Sequence, residues 1–247
     1  GTRGINRGIA RGFAQAGAQI YVLSRSEDKV ADTVAELSAL GPDAAGMAAD
    51  VRNADQNEAA FASCAERFGP IDVVVSGAAG NFVAKAQNIS SKGFRAILEI
   101  DVLGTHHVML ASYKYLRRPG VILNISAAAA SLPMIGQAHG CAAKAGGDQI
   151  TRTLALEWGP EGIRVNSVVP GPIEDTEGFR RLAPTSEIKE NRLATVPLRR
   201  AATSAEVADL CLFLASERAG YITGAVIPID GGATLSVPTD LLEAAIR

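Results

Sequence analysis

Short runs dense in β-branched residues alternate along the chain with longer, Ala-rich stretches of helical spacing. The pattern predicts strands at Gln19–Leu23, Ala45–Ala49, Ile71–Ser76, Gly120–Ile125, Arg164–Val169 and Ala225–Ile229. It predicts helices at Asn6–Ala16, Ser26–Leu40, Asn53–Phe68, Ser91–Leu116, Gly136–Trp158 and Ser204–Ala215. The strands are apolar throughout, which implies burial on both faces, as in a parallel sheet. Alternating β and α joined by short polar links implies an α/β, doubly wound, Rossmann-like fold with ligands at the carboxyl ends of the strands. No repeat or linker divides the chain, so residues 1–247 read as one domain. The more polar segment Glu174–Arg200 interrupts the alternation just after a strand end. A flap over a site is expected there, with a plain surface excursion as the alternative.

Composition narrows the setting. A hydrophobic fraction of 47% with a net charge of −2 excludes a disordered chain. The near-neutral balance argues against nucleic acid or an anionic membrane as partner. No apolar run approaches the roughly 20 residues that cross a bilayer, and no signal peptide opens the sequence. Cys64, Cys141 and Cys211 are odd in number and lack metal-ligand spacing, so no metal and a reducing, cytoplasmic setting are expected. The closing Ala-Ala-Ile-Arg is not a Ser-Lys-Leu-type address, which fits the same location.

Chemistry concentrates at the strand ends. Gly1-Thr-Arg3-Gly4-Ile5-Asn6-Arg7-Gly8 opens into an Ala-rich helix. Glycine lets the backbone approach a pyrophosphate, and a helix N-terminus supplies unpaired N–H groups; a simple helix-starting turn is the alternative. Such a turn normally follows a strand, and the 247 residues contain none ahead of it, so the first strand of the sheet is expected to be missing. The next strand ends Ser24-Arg25, where NAD-preferring sites place an acid. A guanidinium there can hold a 2′-phosphate, with Arg3 as a second cation, so NADP(H) is the expected cofactor. Asp50-Val51 could meet an adenine. Gly77, Ala78 and Gly80 leave room for a flat ring and ribose.

With Asn124-Ile-Ser126, Asn166, Pro170-Gly171-Pro-Ile173 and Asp230-Gly-Gly, these residues resemble the short-chain dehydrogenase/reductase family over essentially the whole chain. The resemblance implies cofactor contacts at Arg3, Gly4, Ile5, Arg25, Asp50, Val51, Gly77, Ala78, Lys144, Pro170, Gly171 and Ile173. It also implies a seven-stranded sheet, here without its first strand, and a homo-oligomer, dimer or tetramer. In the family glycine turn Gly4 matches the middle glycine and Asn6 replaces the last.

The family's catalytic Asn, Ser and Tyr-x-x-x-Lys are where the chain departs. Lys144 stands in place, but Gly140 occupies the tyrosine position, Ala127 the serine position and Asp101 the asparagine position. A tyrosine one helical turn from the lysine would exchange a proton with an alcohol or ketone, so ordinary carbonyl chemistry is not expected here. The chain is most similar to the peroxisomal type of 2,4-dienoyl-CoA reductases within the family, through Gly80-Asn81-Phe82, Ile100-Asp101, His139…Lys144 and Thr176–Arg181. That likeness implies Asp101 and Lys144 as catalytic pair, NADPH as reductant and an acyl-CoA-like substrate, with Asn81, Phe82, Ser126 and Gly140 lining its site. Lys85, Arg180 and Arg181 are candidate cations for CoA phosphates, and His139 is expected to pack behind the site. Two alternatives stay open: a short-chain reductase of another substrate using the same incomplete triad, and an inert module that senses NADP(H).

Overall fold

The computed structural model describes residues 1–174 and 176–235, without the side chains of Arg181 and Leu182. The C-terminal Ala-Ala-Ile-Arg and the Arg181 guanidinium therefore lie outside the described residues. In order come α1 (Gly4–Gln15), β1 (Ile20–Ser24), α2 (Glu27–Ser38), β2 (Ala44–Ala48), α3 (Ala54–Phe68), β3 (Ile71–Ser76), α4 (Ser91–Leu98) and α5 (Gly104–Ser112). There follow β4 (Leu116–Ile125), α6 (Ala138–Trp158), β5 (Ile163–Pro170), α7 (Glu177–Leu182), α8 (Ser186–Ala194), α9 (Ser204–Ala215) and β6 (Val226–Ile229). Side chains fix several starts: Asn53 accepts from the Gln56 N–H at 3.1 Å, and Thr203 and Glu206 form a capping box on α9.

All strand pairs are parallel, in the orders β1-β2 and β3-β4-β5-β6. Successive strand residues face opposite sides, and both sides are covered. Leu123 and Ile125 pack with Ile9 of α1 and Val207 and Leu214 of α9. Ile122 and Val165 pack with Phe61 of α3, Met109 of α5 and Trp158 of α6. Burial on both faces is why the strands read as unbroken apolar runs. Between β1 and β3 the sheet is interrupted: their unpaired edges face each other across a cavity of about 620 Å³ lined by Ile20–Leu23 and Val73–Ser76.

The prediction fails most clearly over Ser91–Leu116. That stretch is α4, a π turn at Glu99–Leu103, α5, and then a strand beginning at Leu116. A π turn adds one residue to a helical turn, a shift too local for periodicity over this stretch to resolve. Asp101 lies in that turn, buried to 4% exposure. The strand starts four residues earlier than predicted because Arg117 and Arg118, which break its apolar run, are paired at the surface with Asp72 and Glu161. The 174–200 segment carries two short helices, α7 and α8, with Phe179 and Val196 buried beneath them.

Candidate active site

At the carboxyl ends of the strands, α1 presents a bare N-terminus. Gly4 opens the helix at φ +49°, a left-handed conformation that side chains disfavour. Arg3 at the cap position makes no side-chain capping bond, and the first turn holds no acid. The first N–H groups are thus unspent, a fit for a phosphate group. Helix α1 is held in place from two sides. Asn6 Nδ2 donates to the Gly77 carbonyl at 2.7 Å, and a Cβ at Gly12 would lie 2.6 Å from that of Ala208 in α9. The asparagine in the family's glycine position therefore ties the turn to the exit of β3. A Cβ at Gly77 would overlap that same side chain.

The sequence-predicted cations divide. Arg25 is exposed at the end of β1, near enough to act electrostatically on Asp50. Arg3 pairs with Glu177 of α7 at 3.4 Å, with both side chains half exposed. Asp50 is gripped by Arg52, whose Nε donates at 3.0 Å, and these bonds hold its carboxyl below the usual carboxylate range. Sequence reasoning missed Arg52; an acid and a guanidinium two residues apart at a strand end was the available signal. Val51 is locked by Asn57, which donates to its carbonyl at 3.0 Å. Ile5 packs against the core, and Ala78 is exposed. Gly171, after Pro170, touches the backbone of Asp230, where a Cβ would come within 2.6 Å. Ile173 is 2% exposed, its side chain part of the core beneath the sheet end.

The second group centres on α6. Gln137, Gly140 and Lys144 fall on one stripe of that helix and its cap, since seven residues bring the chain round to nearly the same side. Lys144 Nζ donates to the Ile125 carbonyl at 3.2 Å and lies 3.5 Å from Asp101 Oδ2. The Gly80 N–H donates to the other Asp101 oxygen at 2.7 Å. Burial raises the Asp101 pKa; the Lys144 charge and the Gly80 hydrogen bond oppose it without cancelling it. The next loop residue, Asn81, donates from Nδ2 to Gln137 Oε1 at 2.6 Å. The one after, Phe82, lays its ring on His139 with centroids 4.1 Å apart. Three successive residues thus join Asp101, Gln137 and His139 around the bare face of Gly140.

His139 is fully buried against Phe82, and neither of its ring nitrogens has a hydrogen-bond partner among the described residues. Ser126 Oγ is buried without a hydrogen-bond partner among the described residues. The small residues after Cys141 pack within the chain: a Cβ on Gly146 would meet Val102 at 3.4 Å and one on Gly147 would meet Asn124 at 3.5 Å. Lys85 and Arg180 are exposed. Among the described residues no His, Cys, Asp or Glu cluster has metal-site geometry, and no helix is long and apolar enough to cross a membrane.

Comparison with known proteins gives the family. A family model described as enoyl-(acyl carrier protein) reductase covers residues 1–234. The chain belongs to the short-chain dehydrogenase/reductase family. The peroxisomal 2,4-dienoyl-CoA reductase of Danio rerio, which is (3E)-enoyl-CoA-producing, is 38% identical over 228 residues, 91% of this chain and 76% of that one. A Bacillus subtilis protein named as a probable 2,4-dienoyl-CoA reductase is 35% identical over 240 residues, 96% of this chain and 94% of its own. Among solved structures, a short-chain dehydrogenase from Bacillus anthracis superposes with a TM-score of 0.84 at 34% identity, covering 94% of this chain and 92% of that one. An actinorhodin polyketide ketoreductase variant with NADPH reaches a TM-score of 0.90 at 29% identity, covering 94% of each chain. Short-chain dehydrogenase/reductase membership makes this chain an oxidoreductase with the Rossmann-type fold that its β/α alternation implied.

Proposed function

We propose that this protein is an NADPH-dependent reductase of 2,4-dienoyl-CoA thioesters. The observation that carries the reading is the Asp101–Lys144 pair beside Gly140: a buried acid with a raised pKa and a lysine, at a place where no phenol is available. The names of the dienoyl-CoA reductase relatives support it, as does the NADPH bound to the ketoreductase neighbour.

The bare N-terminus of α1 would hold the cofactor's pyrophosphate, and Arg25 with Arg52 its 2′-phosphate. When bound, that cofactor supplies a hydride to the far carbon of the conjugated diene. Charge then spreads to the thioester oxygen, and the proton of Asp101 reaches the carbon next to the thioester through a water held with Lys144. The neutral acid that burial favours at Asp101 is the form this step needs. Lys144 sets positive charge beside it and, in our reading, orients the nicotinamide ribose. Gly140, lacking a side chain, lets the Asn81 and Gln137 amides close over that turn of α6. Val83 and Ile135, exposed apolar residues on loops joined by the Ala84 N–H bond to the Gly136 carbonyl, would flank the acyl chain of the substrate. We further propose a homo-oligomer in the cytoplasm.

An NADPH-oxidation assay tests the reading. Turnover of 2,4-hexadienoyl-CoA without turnover of simple ketones supports it, and no turnover with that substrate or longer homologues overturns it.

A further inference from the structure

The turn after β2 is pinned from two helices. The Val51 carbonyl has two acceptor positions, and both are taken: Asn57 Nδ2 of α3 and His107 Nδ1 of α5 each lie 3.0 Å away. A carbonyl only accepts, so Nδ1 carries the proton and the imidazole is the donor. The other end of the same peptide is held as well, since the Arg52 N–H donates to Asp50 Oδ1 at 3.0 Å. The planar Val51–Arg52 peptide cannot rotate without giving up all three hydrogen bonds. Helix α5 reaches this turn because Gly104 has no side chain; a Cβ there would lie 2.6 Å from Val51 Cγ2. His107 follows three residues later, on the same side of the helix. Asn57 is fully buried and also donates to the Asn53 carbonyl at 2.7 Å, whereas His107 is half-buried at the rim. The turn so fixed presents the Asp50–Arg52 ion pair within electrostatic reach of Arg25 at the end of β1.

We propose that His107 is a positioning residue for the adenosine end of the nucleotide. By fixing the Val51–Arg52 peptide it holds Asp50 and Arg52 in the arrangement that meets the adenosine and its 2′-phosphate. His107 does not touch the cofactor; it acts through Val51. A turn ordered in advance spends no binding energy on being ordered, so the effect appears as affinity. The inference rests on the NADPH reading above and is independent of what the hydride reduces.

The test compares His107→Leu, which keeps bulk and loses the N–H, with His107→Asn, whose amide nitrogen stands as many bonds from the backbone as Nδ1. Calorimetry gives the affinity of each purified protein for NADPH, for adenosine 2′,5′-bisphosphate and for reduced nicotinamide mononucleotide, which lacks the adenosine end. His107→Leu is expected to bind the first two about tenfold more weakly and the mononucleotide as wild type does, and His107→Asn to regain most of the loss. Wild-type affinity of His107→Leu for the bisphosphate, an equal loss for the mononucleotide, or an asparagine variant no better than the leucine one overturns the inference. If the leucine variant does not fold, His107→Gln, whose amide reaches one bond too far, carries the same prediction against His107→Asn. The titrations need no substrate, so a protein that binds NADPH but reduces no 2,4-hexadienoyl-CoA loses the proposed reaction and leaves this comparison standing. A wild type that binds NADPH no better than the mononucleotide has no adenosine site, and the inference falls with it.

Discussion

Asp101 and Lys144 lie 3.5 Å apart, with the Asp101 side chain 2% exposed and that of Lys144 18% exposed. The pair is asymmetric: the lysine reaches toward the site, whereas the acid is sealed by the π turn and capped by the Gly80 N–H. Burial disfavours the charged acid, and the neighbouring lysine favours it. Burial is the larger effect, so the pKa rises.

Replacing Asp101 with Asn removes the proton and keeps the shape. Loss of general acid catalysis lowers kcat by about a hundredfold or more, with NADPH affinity unchanged. Stability should move with pH in a defined sense. A carboxyl whose folded pKa lies above its unfolded value stabilises the fold most at low pH, and that contribution is lost as pH rises through the raised value. The melting temperature of Asp101→Asn relative to wild type is therefore expected to improve from about pH 4 toward neutrality. A flat difference across that range would contradict the direction of the shift.

Lys144→Met takes away the charge that opposes burial. The alkaline limb of the kcat profile, which reports the acid form of Asp101, is expected to move to higher pH while kcat falls throughout. A limb that stays in place would mean that another group donates.

Arg25→Ala is expected to weaken NADPH binding about tenfold or more while leaving NADH nearly unchanged, because a charge-assisted bond to the 2′-phosphate is lost. Equal effects on both nucleotides, measured by fluorescence titration, would remove Arg25 from the phosphate site.

Gly12→Ala places a methyl 2.6 Å from the Ala208 Cβ at the contact between α1 and α9. Overpacking of this kind costs about 1–3 kcal/mol. Since α1 carries the proposed phosphate cradle, NADPH affinity should fall together with the denaturation midpoint. A loss of stability with unchanged affinity would mean that the helix tilts without moving its N-terminus.

Much of this was legible in the sequence, for physical reasons that differ between regions. Strands buried on both faces read as apolar runs, and β3 falls on the predicted Ile71–Ser76. Helix α9 likewise spans the predicted Ser204–Ala215, because Thr203 and Glu206 mark its start. The π turn was hidden because a one-residue insertion is too local for periodicity to resolve; only the structure shows that Asp101 lies buried within it. Lys144 was recognisable from its motif, whereas Gln137 was not, since a lone glutamine before a helix carries no signal until Gly140 and Asn81 are seen against it. Arg52 escaped notice because its partner Asp50 was read as a cofactor contact rather than as half of an ion pair.

The most direct test of the proposed chemistry follows the two hydrogens. With 2,4-hexadienoyl-CoA and NADPH carrying deuterium at the transferable position, label should appear at the far carbon of the former diene. Run instead in deuterium oxide, the reaction should place label on the carbon next to the thioester, leaving a 3-enoyl product. Label on the third carbon of the chain, or its complete absence from the product, would contradict a dienoyl reduction completed by Asp101.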